Sequence, residues 1–286
     1  MKFFAMDRLY LLLPLVALAL SIAGSEGARA DFLPPSGGGC PNGGSLSLNG
    51  LAHGQVVNVN SGVQAYVNPF AGCAEIHAKN RTNAPGEDYA VVFDTNTNPT
   101  TTPDPDLTGP PWSGGNVPPN TQLGNILVVQ GQDYTGCANG ICTTPQDEDM
   151  QTNFVATWIE LRFDTPQLFF GFDLIDVELF EMGSVAFCES SVACTGSAVG
   201  SEIAFFDPSG ATFDLIDRDG AIFGDHTVDR IAAFTGEELG MVGFGSVRIN
   251  FGGSAGVGNF VINPEPGTAI LLGTGLVALA TRRRRS

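Results

Sequence analysis

The sequence predicts an all-β protein, a β-sandwich of jelly-roll kind, and three observations carry that prediction. Ile159, Leu161 and Phe163 fall on one side of a run and Glu160, Arg162 and Asp164 on the other, the period of two that a half-buried strand requires. Val247, Ile249 and Phe251 repeat the pattern against Ser246, Arg248 and Asn250. Turn residues recur between such runs, with 37 Gly and 18 Pro in 286 residues, and the middle of the chain keeps no long helical period. Many short strands joined by turns follow.

The chain opens with Lys2 and Arg8, an apolar run from Leu9 to Ala23, and the small-x-small triplet Ala28-Arg29-Ala30. Charge, greasy core and cleavage site in that order are a secretory signal peptide over residues 1–30, cut after Ala30 and delivered through the Sec export machinery. The working region from Asp31 to Asn263 is long enough for one domain with a real core. The whole chain has 13 Lys and Arg and 30 Asp and Glu; seven of the former and three of the latter fall outside that region. Six basic residues against 27 acidic ones remain, a net charge near −21. Such a surface repels nucleic acid and anionic lipid, and no basic stripe tracks a phosphate backbone, so no nucleic-acid partner is expected. Acidity alone also keeps a secreted protein dispersed.

Residues 31–50 are rich in Gly, Pro and Ser and read as a leader, with the β domain spanning 51–263. Strands are expected around Val57 and Val59, Val63 to Val67, Tyr89 to Phe93, Asn125 to Val129, Ile159 to Phe163, Val247 to Phe251 and Val257 to Ile262. Asp207-Pro208-Ser209-Gly210 and Asp219-Gly220 supply turn chemistry. One string occurs twice, Phe172-Asp173-Leu174-Ile175-Asp176 and Phe213-Asp214-Leu215-Ile216-Asp217. Its flanks do not match, so both copies read as strand ends carrying carboxylates into loops rather than as a repeat unit. The apolar parity shifts after Leu174, which places a bulge near Ile175.

All six cysteines, Cys40, Cys73, Cys137, Cys142, Cys188 and Cys194, lie in the exported part. An even number in an oxidising compartment reads as disulfides. Cys137 with Cys142 and Cys188 with Cys194 each flank a short polar loop, which leaves Cys40 for Cys73. Zinc is a poor fit, because no Cys-x-x-Cys occurs and His53, His77 and His226 are widely scattered.

Asp94, Asn96 and Asn98, followed by Asp104 and Asp106, place oxygen ligands at alternate positions, the donor set calcium takes. Calcium is the one cofactor the residues suggest, although Pro99 stands where an EF-hand has its glycine and no glutamate closes the loop. An Asx-rich turn explains the same residues. Asp147-Glu148-Asp149 is a second, weaker acidic group. Trp112 in a Pro-Gly-rich loop, with Tyr134 and Trp158, offers rings for stacking a sugar, whereas Trp158 beside a core-facing strand reads as packed. Gly252-Gly253-Ser254-Ala255-Gly256 fits a nucleophile elbow, but a strand follows it and no histidine comes after Ser254. No catalytic residues are assigned, and a hydrolase ranks last.

The tail carries the most specific signal. Pro264-Glu265-Pro266 holds the backbone extended, the run from Thr268 to Thr281 is uncharged, and Arg282, Arg283, Arg284 and Arg285 follow. An apolar helix with a cationic stop enters a bilayer and leaves its arginines on the cytoplasmic side. The run is shorter than the ~20 residues of a comfortable span, which suits a temporary anchor. Residues 264–286 thereby resemble the PEP-CTERM sorting signal of Gram-negative bacteria that make exopolysaccharide. The resemblance implies processing by an exosortase near the Pro-Glu-Pro triplet, transient residence in the inner membrane, and delivery to the cell envelope, surface or extracellular matrix. Residues 164–262 also resemble the β-sandwich body common in such proteins, with Asp217-Arg218-Asp219-Gly220 before a final strand pair ending at Asn259-Phe260. Relatives often have Asp where this chain has Gly258. The expected role is structural or adhesive and non-enzymatic; the alternative is a carbohydrate-binding module acting on exopolysaccharide.

Overall fold

The computed structural model describes residues 40, 44–80, 88–131, 135–137, 139–147, 157–178, 183–210 and 212–264. All of them belong to the second of the two units into which the chain divides, Phe32–Ser286. Among the described residues ten strands and one short α-helix appear in this order: β1 (Gly44–Leu46), β2 (Ala74–Lys79), β3 (Ala90–Asp94), β4 (Asn125–Val129), β5 (Thr157–Ile175), β6 (Ser184–Cys188), β7 (Val199–Ala204), α1 (Leu215–Asp219), β8 (Val228–Thr235), β9 (Phe244–Phe251) and β10 (Gly256–Pro264).

The all-β class stands, but the ladder is one open antiparallel sheet where two separate sheets were expected. The reason is β5. Its first half pairs with β2 and β9, its second half with β8 and β10, and the register shifts between Arg162 and Gln167. A 19-residue strand that changes partners midway joins both halves into one hydrogen-bonded surface. Their inner faces share one core: the ring of Phe187 on β6 meets Phe234 on β8 at 4.9 Å, and Phe170 on β5 stacks on Phe260 of β10 at 5.9 Å.

A second core lies on the outer face of the β3–β4 half. Irregular segments bring Val56, Leu107, Trp112 and Val117 against Phe93, Ile126, Ile175 and Val228. The second half of β5 is therefore buried on both faces, which explains why its sequence is apolar almost without alternation.

Residues 57–67, expected as strands, are turns and irregular backbone. Asn58 and Asn60 decide this by acting as strand partners with their side chains. The Asn60 amide donates to Ala78 O at 2.7 Å and accepts from Ala78 N at 3.0 Å, and Asn58 accepts from Ala90 N and donates to Asp88 O. Two sheet edges are satisfied this way without a strand. Asn116 does the same for β8, accepting from Arg230 N at 2.7 Å and donating to Arg230 O at 3.0 Å.

The leader reading changes at its end, because Gly44–Leu46 pairs with β10 and both Leu46 and Leu48 are buried. Ser45-Leu46-Ser47-Leu48 alternates enough to make an edge. The repeated string has two fates. Phe172–Ile175 ends β5, whereas Asp214 caps α1, accepting from Asp217 N at 2.9 Å, and Gly220 closes the helix in the left-handed region at φ 65°. The bulge expected near Ile175 is not there: the strand stops and Asp176 turns to φ 59°, and the extra residues of β5 lie between Arg162 and Gln167, opposite β9. Asp214 Oδ2 also accepts from Asp207 N, so Asp214→Ala should cost about 1–2 kcal/mol in urea denaturation.

The six cysteines form Cys40–Cys73, Cys137–Cys142 and Cys188–Cys194. Replacing Cys137 and Cys142 together by serine should lower stability by about 2 kcal/mol, the entropy of a short loop, read as a lower Tm.

Candidate functional site

Of the sorting signal, only Pro264 lies within the described residues, as the last residue of β10 in register with Gln167. Glu265, Pro266 and Arg282 to Arg285 lie outside them, as do the signal-peptide residues Ala28 and Ala30, and Tyr134, Glu148 and Asp149. Among the described residues no helix is long and apolar enough to cross a membrane.

The calcium set is not brought together. Asp94 Oδ1 accepts from the backbone and amide of Asn96 at 3.0 and 2.9 Å, and Asn98 Oδ1 accepts from the backbone and hydroxyl of Thr100. These oxygens close local turns, the alternative their spacing allowed. Asp94 N donates to His53 Nδ1, and burial lowers the pKa of His53. Among the described residues no group of three or more His, Cys, Asp or Glu is arranged to hold a metal ion.

Asp104 and Asp106 instead face other carboxylates. The loop bearing them approaches the end of β5 and the start of β8, where Asp176, Asp225 and His226 sit. Gly115, at φ 105°, lets this loop press on the backbone of β8: a Cβ there would lie 1.8 Å from Val228 O. His226, at φ 57°, donates its backbone N–H to Asp176 Oδ1 at 2.6 Å, and its Nε2 lies 2.7 Å from Thr108 O. Asp176 is 5% exposed. Burial, reinforced by Asp104, Asp106 and Asp225, pushes its carboxyl up to about 7. Burial also raises Asp106, with Asp225 and Asp104 adding to it and His226 opposing. No local pattern announced this grouping of carboxylates, because Asp176 and Asp225 come from distant segments. Asp147 joins Asp104 by donating its backbone N–H at 3.0 Å.

Trp112 offers no sugar platform. It is 3% exposed, its Nε1 donates to Thr121 O at 2.8 Å, and its ring packs on His226 at 5.3 Å. Trp158 is half-buried under the guanidinium of Arg248 at 4.1 Å. Residues Gly252 to Gly256 turn β9 into β10, with a strand and not a helix after Ser254. His77 lies 3.3 Å from Glu75 at the surface of β2.

Two further charged centres fix the fold. Glu160, expected on a solvent face, is fully buried, because the loop closed by Cys188–Cys194 folds over it. It accepts from Arg248 Nε at 2.6 Å, Arg162 Nε at 2.5 Å and Cys194 N at 3.0 Å. Asp173 accepts from Nε and Nη2 of Arg230 at 2.9 and 3.0 Å, and also from Asn259 Nδ2 at 2.7 Å. At the Gly258 corner, where a carboxylate is lacking, Asn259 thus leans on Asp173 from φ 49°. Every described arginine is ion-paired inside the domain, so the surface keeps its acidic excess.

No curated protein and no solved structure matches the chain. Residues 264–285 match the family model described as the PEP-CTERM protein-sorting motif. The chain therefore carries a PEP-CTERM sorting motif that begins at the last residue of its last described strand, the mark of an exported protein sorted to the cell envelope.

Proposed function

We propose that this is a non-enzymatic exported protein, processed by an exosortase at its C-terminal motif and delivered to the cell surface or extracellular matrix, where the acidic, disulfide-bonded domain acts structurally or adhesively. The sorting motif, which begins at the last residue of β10, is the observation that carries the reading. Sec export of residues 1–30, transient anchoring of residues 268–281 in the inner membrane and a cytoplasmic arginine stop complete the route. Three disulfides support it, since they suit a domain that works outside the reducing cytosol. Binding of exopolysaccharide is the second reading; buried Trp112 speaks against a stacking site there.

Fractionation of the producing cell tests the route. The wild-type domain is expected outside the inner membrane, and a variant with Pro264, Glu265 and Pro266 all replaced by alanine is expected to stay in the membrane fraction at full length. Equal distribution of the two would contradict the reading.

A further inference from the structure

Backbone left unpaired at the edge of a sheet is a template for another chain, and native folds cover such edges. Five strands of this sheet have a single strand partner: β1, β2, β3, β7 and β8. β1 is only three residues long. The far side of β2 is covered by Val59, whose N–H donates to Ile76 O at 2.9 Å, and by the side chains of Asn60 and Asn68 on Ala78 and Ala74. The far side of β3 is covered by Gly54 and Gln55 on Val92 and by Val57 and Asn58 on Ala90. The far side of β8 is covered by Asn116 on Arg230 and by Arg218 and Asp219 on Ala232. β7 differs from these. Among the described residues nothing bonds the backbone of residues 201–204 on the side away from β6, and no residue of the strand is buried.

The sequence of β7 does little to blunt this edge. It has no proline and no lysine, and Glu202 is its one charge. A bulge at Gly200, where the register shifts between Phe187 and Cys188, confines the free edge to residues 201–204. Phe205 N donates to Gly183 O at 2.9 Å. Residues of an antiparallel strand alternate in facing their partner, so Ile203 and Ser201 also face β6. Glu202 and Ala204 then turn their N–H and C=O groups outward.

We propose that β7 pairs antiparallel with β7 of a second copy of this chain, continuing the sheet through a two-fold contact. The register makes the strand its own partner. With the axis at Ile203, Glu202 of one copy lies opposite Ala204 of the other, and these residues exchange backbone hydrogen bonds. No carboxylate sits directly across from another, which would oppose pairing. The two Ile203 side chains meet at the axis; each packs against its own core and is still half-buried. The contact is isologous, so it closes at two copies. It gives the surface role of the domain a like partner, and it stands however the C-terminal motif is processed.

Sedimentation velocity of the protein purified from the producing cell tests this, at a salt concentration of about 0.15 M to screen the acidic surfaces. Wild type is expected to pass from monomer to dimer between roughly 10 and 500 µM, the weak range of a small interface. Ala204→Pro removes an outward N–H and no bond to β6, a change an edge strand tolerates. It is expected to weaken dimerisation about tenfold. Ala204→Lys sets a cation opposite Glu202 and is expected to tighten dimerisation roughly fivefold. Gln122→Lys adds the same charge at an exposed position in the loop before β4 and is expected to change it less than about twofold. A wild-type protein still monomeric at about 500 µM overturns the pairing. So does an Ala204→Lys variant that dimerises no more tightly than Gln122→Lys, a comparison that decides the matter even where Ala204→Pro fails to fold.

Discussion

Asp176→Asn is expected to stabilise the domain at pH 8 by on the order of 2–4 kcal/mol and to change nothing at pH 4. The carboxyl is raised from 3.8 to about 7, chiefly by burial and further by Asp104, Asp106 and Asp225. Below about pH 4 the acid is protonated in both folded and unfolded chains, so the favourable contribution of the protonated group is fully present. Between pH 4 and 7 the unfolded chain gives up its proton while the folded one keeps it, and wild-type stability falls as pH rises. Above 7 the loss is complete. Asparagine keeps the Oδ1 that accepts from His226 N and tolerates the left-handed backbone, so the charge is removed and an amide NH2 takes the place of Oδ2. Urea denaturation at the two pH values checks this, and an equal effect at both would refute it. His53 and His77, both lowered mainly by burial, act in the opposite sense. They favour folding above 6.5 and withdraw that support as pH falls, so the substitution must be compared with wild type at each pH.

Arg248→Ala should cost about 3–5 kcal/mol, because it leaves Glu160 buried with half its neutralisation gone. Arg162 and the Cys194 amide remain, but Arg162 is partly solvated and neither replaces the cation that also covers Trp158. Replacing Glu160, Arg162 and Arg248 together with apolar residues of similar volume should recover much of the loss, as removing all three charges leaves none of them unpaired. A single-variant cost below about 1 kcal/mol would mean that solvent reaches Glu160.

The strands that alternate were legible in the sequence, and so was the strand at Asn125–Val129, whose bounds the structure reproduces residue for residue. Legibility failed where a side chain from elsewhere took over a backbone's role. Val57 and Val59 have the pattern of a strand, but Asn58 and Asn60 spend their amides on β3 and β2. Phe-Asp-Leu-Ile-Asp reads identically in both copies; only the second is preceded by a turn that lets its Asp cap a helix. Glu160 sits on the polar side of a clear alternation, and nothing local predicts the disulfide loop that covers it. Trp112 looked exposed because Gly and Pro surround it, yet the irregular segments build a core of their own. The carboxylate cluster was half visible. Asp104 and Asp106 stood out, but for an oxygen-ligand spacing with Asp94 that local turns consume, whereas their neighbours Asp176 and Asp225 are brought in by the meeting of β5 and β8.

Intact mass spectrometry of the domain recovered from outside the cell addresses the reading of residues 264–286 as a disposable handle most directly. The expected product begins at Asp31, retains β10 through Asn263 and terminates within or next to Pro264-Glu265-Pro266, allowing for any group attached there. Recovery of a chain still ending in Arg282-Arg283-Arg284-Arg285-Ser286 would contradict it.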